Sequence, residues 1–167
     1  MYSSFNSFLE NNGYWGSQGA GILAIAIDTG KWLLALRSGR VNYEPYTWSN
    51  IGGKVDEGET QPERAARREF FEETEYNGPL KLYPAYIYQS PSKNETGEPK
   101  FTYHNFIGEI IKGNWEPKIN WETDRFTWLD YKGLLEIKPK HFGLRELLKH
   151  SGDLIKNLSY KYNHEDL

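Results

Sequence analysis

Small and aliphatic residues run almost unbroken from Gly19 to Ile27, and a second apolar run, Trp32 to Leu36, follows the tight-turn residues Asp28-Thr29-Gly30. Two short apolar runs joined this way predict a hairpin of two largely buried strands, Gly19 to Ile27 and Lys31 to Ser38. Trp48 is expected to lead a short strand into a glycine-rich loop. From Glu63 to Thr74 the pattern changes: no Gly or Pro interrupts it, and Ala65, Ala66, Phe70 and Phe71 supply the apolar positions of a short helix. Thr60-x-x-Glu63 fits a capping box at its start, with Pro62 in the first turn, where a missing N–H does no harm. Leu80 to Ser90 and Phe101 to Lys112 read as strands separated by the polar, turn-rich stretch Pro91 to Pro99. A further strand and its exit lie in Arg125 to Asp130. The last element, His141 to His150, carries an apolar stripe at Phe142, Leu144, Leu147 and Leu148, with Arg145, Glu146 and Lys149 on the other faces. Strands around one acidic helix, closed by a second helix, predict an α/β sandwich on a mixed sheet. Residues 1–18 read as an N-terminal arm, 19–152 as the domain and 153–167 as a tail packed on it. In the arm, Tyr14 and Trp15 offer aromatic faces for packing or for stacking on a base.

A chain of 167 residues supports one substantial core, and an aromatic content of 16% points to folded surfaces and aromatic-lined recesses rather than disorder. The net charge of −3 gives no polyanion-binding signal, so nucleic acid is not the expected partner. With no cysteine, disulfides, a thiol nucleophile and thiolate metal ligands are excluded. No signal-like segment and no apolar run near 18 residues is present, which leads to the expectation of a cytoplasmic protein without a membrane partner.

The candidate chemistry lies in the helix. Glu69, Glu72 and Glu73 stand at i, i+3 and i+4 and share one side about one turn deep, where like charges repel. Two arrangements relieve that repulsion. One is a hard divalent cation, since Mg²⁺ prefers carboxylate oxygens and is commonly shared with substrate phosphate; the other is a solvated face paired with Arg64, Arg67 and Arg68.

The stretch GGKVDEGETQPERAARREFFEETEY, Gly52 to Tyr76, resembles the signature box of the Nudix hydrolases. Gly53, the five residues to Gly58, and Glu59 match its first part; Arg68, Glu69, Phe70, Glu72, Glu73 and Tyr76 match its second. There are two departures. Eight residues rather than seven separate Glu59 from Arg68, and Glu75 replaces the usual glycine after the acidic pair, with Asn77-Gly78 beyond it to take over the turn. The resemblance implies an α/β/α fold and hydrolysis of a diphosphate linkage in a nucleoside diphosphate derivative or nucleoside triphosphate, with Mg²⁺, or Mn²⁺ in its place. By the same resemblance the Gly53 carbonyl, Glu69, Glu72 and Glu73 organise the metal. Arg68 orients the acidic helix, Glu59 braces the loop or contacts metal, and Glu122, or less favourably Glu116, reaches back to the centre. Glu72, Glu73 and Glu122 are the candidates for the proton acceptor. A proline fifteen positions beyond the box marks relatives that hydrolyse ADP-ribose, and Pro91 stands fifteen beyond Tyr76.

For substrate binding the sequence offers Arg37 and Arg40, whose guanidinium groups match phosphate oxygens at the end of the second strand, or else cap a solvated strand end. Trp48, with Tyr43 and Tyr46, is expected to shape a nucleoside pocket. His104 is available for phosphate or base, or as a structural histidine. The partner expected is a small nucleotide, with a homodimer left open. The alternative to an enzyme is a non-catalytic nucleotide-binding module that keeps the fold.

Overall fold

A computed structural model describes residues 18–42 and 44–163; Tyr14, Trp15 and Tyr43 lie outside the described residues. The hairpin strands β1 (Gln18–Ala26) and β2 (Lys31–Arg37) pair antiparallel only near their turn, from Ala24 opposite Leu33 to Ala26 opposite Lys31. Beyond this they part like a fork. Into the gap run β3 (Trp48–Ser49), which pairs with β2, and β4 (Ile51–Lys54), which pairs antiparallel with β1 from Ile51 opposite Ile22 to Lys54 opposite Gly19. On the other edge of β1 lies β6 (Thr102–Ile110), parallel to it, followed by the antiparallel β5 (Leu80–Gln89). β7 (Thr123–Leu129) runs antiparallel along β2 and completes a seven-stranded mixed sheet.

Side-chain alternation along β1 divides the core into two layers. Ala20, Ile22, Ala24 and Ala26 face helix α1 (Pro62–Thr74) and meet its Ala65, Ala66 and Phe70. The small alanines let the helix backbone lie close to the sheet, and full burial of Phe70 contributes about 2–3 kcal/mol. On the opposite face Leu23, Ile25 and Leu34 pack against α2 (Tyr131–Glu136), α3 (Phe142–His150) and α4 (Gly152–Lys161) through Leu134, Leu144, Leu147, Ile155 and Leu158. Trp32 is fully enclosed there, and its indole N–H donates to Ser159 Oγ at 2.8 Å. The result is the expected α/β/α sandwich. No helix among the described residues is long and apolar enough to cross a membrane.

Three local expectations are corrected. The capping box is not formed: the N-cap is Gln61, in extended conformation and without a side-chain cap, and Thr60 is exposed outside the helix. A residue before proline is kept out of the helical region, so Pro62 as the first helical residue sets the boundary downstream of Thr60. The helix also does not run on towards Asn77-Gly78. It ends at Thr74, and Glu75 itself takes the left-handed conformation (φ 59°, ψ 13°) with its N–H on the Phe71 carbonyl at 2.7 Å. Finally, α2 was not anticipated, although Asp130 caps it by accepting from Gly133 N–H at 2.7 Å.

Candidate active site

The loop after β4 and helix α1 are clamped together by Arg68. Its Nε and Nη2 donate to the two carboxylate oxygens of Glu59 at 3.3 and 2.9 Å, Nη2 also to the Lys54 carbonyl at 3.0 Å, and Nη1 to Glu69 at 3.0 Å and Glu72 at 3.2 Å. A planar fork with five donors serves loop and helix at once, which a lysine ammonium cannot do in this geometry. Glu59 accepts the Asp56 N–H as well, at 2.7 Å, and its bonds to Arg68 hold its carboxyl below the usual range. Both Glu59 oxygens are thus engaged in bracing the loop. The clamp between Arg68 and Glu59 forms despite the additional residue between them.

Beside the clamp a cleft is lined by Arg37, Gly52, Gly53, Lys54, Glu69, Glu72, Glu73 and Glu122. Gly53 is there for space: a Cβ on it would come within 2.5 Å of the Glu69 carboxyl carbon. Glu69 and Glu73 are half-buried. Burial raises the Glu69 carboxyl, assisted by the charges of Glu72 and Glu122 and opposed by Arg68. Burial also pushes Glu73 up to about 7, against an opposing hydrogen bond from Asn120 and with the charges of Glu122 and Glu69 adding to it. Crowded carboxylates beside a backbone carbonyl form a donor set suited to a hard divalent cation. Glu69, Glu72, Glu73 and the Gly53 carbonyl are the groups available to hold one. Among the described residues no three or more of these side chains already stand gathered as a metal cluster.

A second recess lies on the α3 side and shares Arg37 and Gly52 with the acidic cleft. Its walls are Tyr88, Tyr103 and Phe142, with Asn50, Asn105, His141 and Glu146 as polar lining. Tyr88 and Phe142 meet edge to face, with centroids 5.9 Å apart. The mixture of aromatic walls with a few amides is of the kind that meets a planar heterocycle. Sequence reasoning missed this pocket. Tyr88 and Tyr103 were visible only as strand aromatics, and nothing in the sequence links them to the start of α3. His141 is buried, its Nδ1 accepting from Gly143 N–H at 2.9 Å, which assigns the ring proton to Nε2, 3.2 Å from Glu44. Burial keeps this imidazole well below its usual pKa, and burial raises Glu44, which also accepts the Phe142 N–H. The pair fastens the β2–β3 loop to the first turn of α3.

Of the remaining candidates, Glu122 reaches the acidic cleft and Arg37 reaches both recesses. Arg40 is exposed on the loop and lines neither. Trp48 is a buried core residue under the Arg125 guanidinium, 5.5 Å from its ring, rather than a wall of the nucleoside pocket. His104 shares the face of β6 that turns towards α1 with Phe106, whereas its neighbours Tyr103 and Asn105 face the aromatic pocket. It is half-buried, and burial lowers its pKa. It lines neither recess. Glu116 and Pro91 are exposed and line neither recess.

Comparison with known proteins gives a consistent answer. The chain matches the NUDIX domain family over residues 17–150. Its fold resembles that of RenU, a Nudix hydrolase from M. smegmatis, with 21% identity over 86% of this chain and 89% of that one, at a TM-score of 0.69. It also resembles the NUDIX domain of Shewanella oneidensis NrtR, solved as a complex with ADP-ribose (16% identity, 84% and 88% covered, TM-score 0.63). A third similar structure is the E. coli dihydroneopterin triphosphate pyrophosphohydrolase (22% identity, 84% and 95% covered, TM-score 0.60). At such identities these likenesses establish the fold alone, and comparison with curated protein sequences gave no match. With the family pattern covering most of the chain and its acidic box folded into one cleft, the protein belongs to the Nudix hydrolase family, enzymes that act on pyrophosphate bonds.

Proposed function

We propose that the protein hydrolyses the diphosphate linkage of a nucleoside diphosphate derivative or a nucleoside triphosphate, with Mg²⁺ as the cofactor and Mn²⁺ as a substitute. The observation that carries this reading is the junction of the two recesses. A cleft rich in carboxylate and an aromatic-walled recess meet at Arg37 and Gly52, an order that suits a substrate with a flat base at one end and a diphosphate at the other. The base lies between Tyr88, Tyr103 and Phe142, and Arg37 contacts phosphate oxygen at the passage between the recesses. Glu69, Glu72, Glu73 and the Gly53 carbonyl hold the cation, while Arg68 keeps loop and helix in register. A bound divalent ion supplies neutralisation of charge on the phosphate oxygens and a lower pKa for water. Water attacks one phosphorus, the bond from that phosphorus to the bridging oxygen breaks, and the departing phosphate carries the bridging oxygen away. The proton lost by water passes to a carboxylate of the cleft, for which Glu72, Glu73 and Glu122, all lining it, are the candidates.

The test is a panel of nucleoside triphosphates, dinucleoside polyphosphates, nucleotide sugars and ADP-ribose, incubated with Mg²⁺ and analysed by the phosphate-containing products. Release of a nucleoside monophosphate from at least one compound, abolished by EDTA and reduced roughly 10²-fold in Glu73→Gln at unchanged circular dichroism, is the expected result. Binding without turnover across the panel would reject hydrolysis in favour of a binding module.

A further inference from the structure

The segment between β6 and β7, residues 111–122, is tied down at both sides of the acidic cleft. On the β2 side, the Ser38 hydroxyl donates to the Trp121 carbonyl at 2.6 Å and the Ser38 N–H to the Glu122 carbonyl at 2.7 Å. On the helix side the tie is one amide. Asn120 Nδ2 donates to Glu73 Oε2 at 2.9 Å, while Asn120 Oδ1 accepts the N–H of Glu122 at 2.8 Å and that of Thr123 at 3.1 Å. An asparagine that accepts from the backbone two and three residues ahead fixes the direction of that backbone. Here that backbone carries Glu122 and opens β7. The same side chain therefore grips the carboxylate of the helix with one end and orients the residue bearing the opposing carboxylate with the other. The chemistry of the side chain suits this double use. Glu73 and Glu122 are like-charged neighbours, and a neutral group with one donor end and one acceptor end can join them without adding to the repulsion.

We propose that Asn120 is a positioning residue, holding Glu73 and Glu122 in a fixed relation across the cleft, so that metal binding and hydrolysis depend on a side chain outside the acidic box. This inference rests on the reading of the cleft as the hydrolytic site. Asn120→Ser isolates the grip on Glu73: a serine oxygen still accepts from the backbone ahead, adds no charge, and is too short to reach the helix. Asn120→Ala removes both ends.

The experiment measures Mn²⁺ binding without substrate, by the loss of the free-ion paramagnetic resonance signal, for wild type, Asn120→Ser, Glu73→Gln and the double variant, with thermal unfolding as a control on folding. Initial rates on the most rapidly hydrolysed panel compound provide the second readout. Asn120→Ser is expected to weaken Mn²⁺ binding and lower kcat by about 10-fold, within the range for groups that orient metal ligands, at a melting temperature close to wild type. The double variant should be no worse than Glu73→Gln alone, because the serine substitution acts through Glu73. Losses that multiply in the double variant, or wild-type Mn²⁺ affinity and kcat in Asn120→Ser, would overturn the inference while leaving the cleft as the site. Unchanged Mn²⁺ binding and rate in Glu73→Gln would instead overturn the reading of the cleft. Were Asn120→Ala to unfold, the serine variant still decides the matter.

Discussion

Arg37 stands where two recesses meet, and this separates it from Arg40 only three residues away. The backbone N–H of Arg37 is fixed to the Thr47 carbonyl at 2.9 Å and its side chain lines both recesses, whereas Arg40 projects from an exposed loop. A charge-assisted contact to phosphate is worth about 1.5–3 kcal/mol, so Arg37→Ala should lower kcat/KM by roughly 10- to 100-fold and Arg40→Ala by less than about twofold. Steady-state kinetics of the two variants side by side would contradict the assignment if Arg37→Ala matched wild type. Glu73 makes a different prediction, about stability. Its folded pKa of about 7 lies above the ordinary carboxyl value of 4.5, so between those limits the folded protein binds the additional proton. The contribution of Glu73 to stability therefore declines as pH rises through that window. In EDTA, Glu73→Gln should be more stable than wild type at about pH 8, with the difference shrinking towards about pH 5. Urea midpoints that move in parallel with pH for both proteins would show that Glu73 is not protonated as described.

At the scale of the element, α1 shows how far a sequence can be read. The three glutamates, the arginine clamp and the buried Ala65, Ala66 and Phe70 follow from periodicity together with the acidic box. The ends of the helix do not, because they are decided by competition. Pro62 excludes Gln61 from the helix and defeats the capping box at Thr60, and Glu75 accepts a left-handed backbone although Gly78 is close by. The C-terminal turn is set by the Phe71 carbonyl, and a glutamate there carries backbone strain that glycine lacks. Glu75→Gly is expected to stabilise the protein by about 1 kcal/mol, read as a higher urea midpoint at unchanged slope. Its side chain offers little to set against that, being exposed and 3.7 Å from Lys118. Strands were legible where hydrophobic runs are long, as in β1 and β2. His104 was offered for phosphate or base from its chemistry alone. The burial of β6 alternates, but which recess each of its faces meets depends on how α1 and α3 pack against the sheet, and that is not written in the strand itself.

Over the whole molecule, the sandwich depends on contacts far from the chemistry. Ser159 on α4 accepts the hydrogen bond of the buried Trp32 indole, so Ser159→Ala strands a donor in the interior and should cost about 1–3 kcal/mol, with kcat/KM unaffected. Chemical denaturation and kinetics on one preparation would test both halves of that statement. The forked hairpin has a wider consequence. Because β1 and β2 separate to admit β4, the acidic cleft is assembled mainly from the stretch between Arg37 and Glu73, with Glu122 added, while the aromatic walls come from Tyr88, Tyr103 and Phe142. On the proposed function, bond cleavage and choice of ring are thus inscribed in largely separate lengths of chain, and Arg37 and Gly52 are where the two inscriptions join. A library confined to the later length would re-cut the ring pocket and leave the cleaving apparatus unedited, provided Asn120 and Glu122 are held constant.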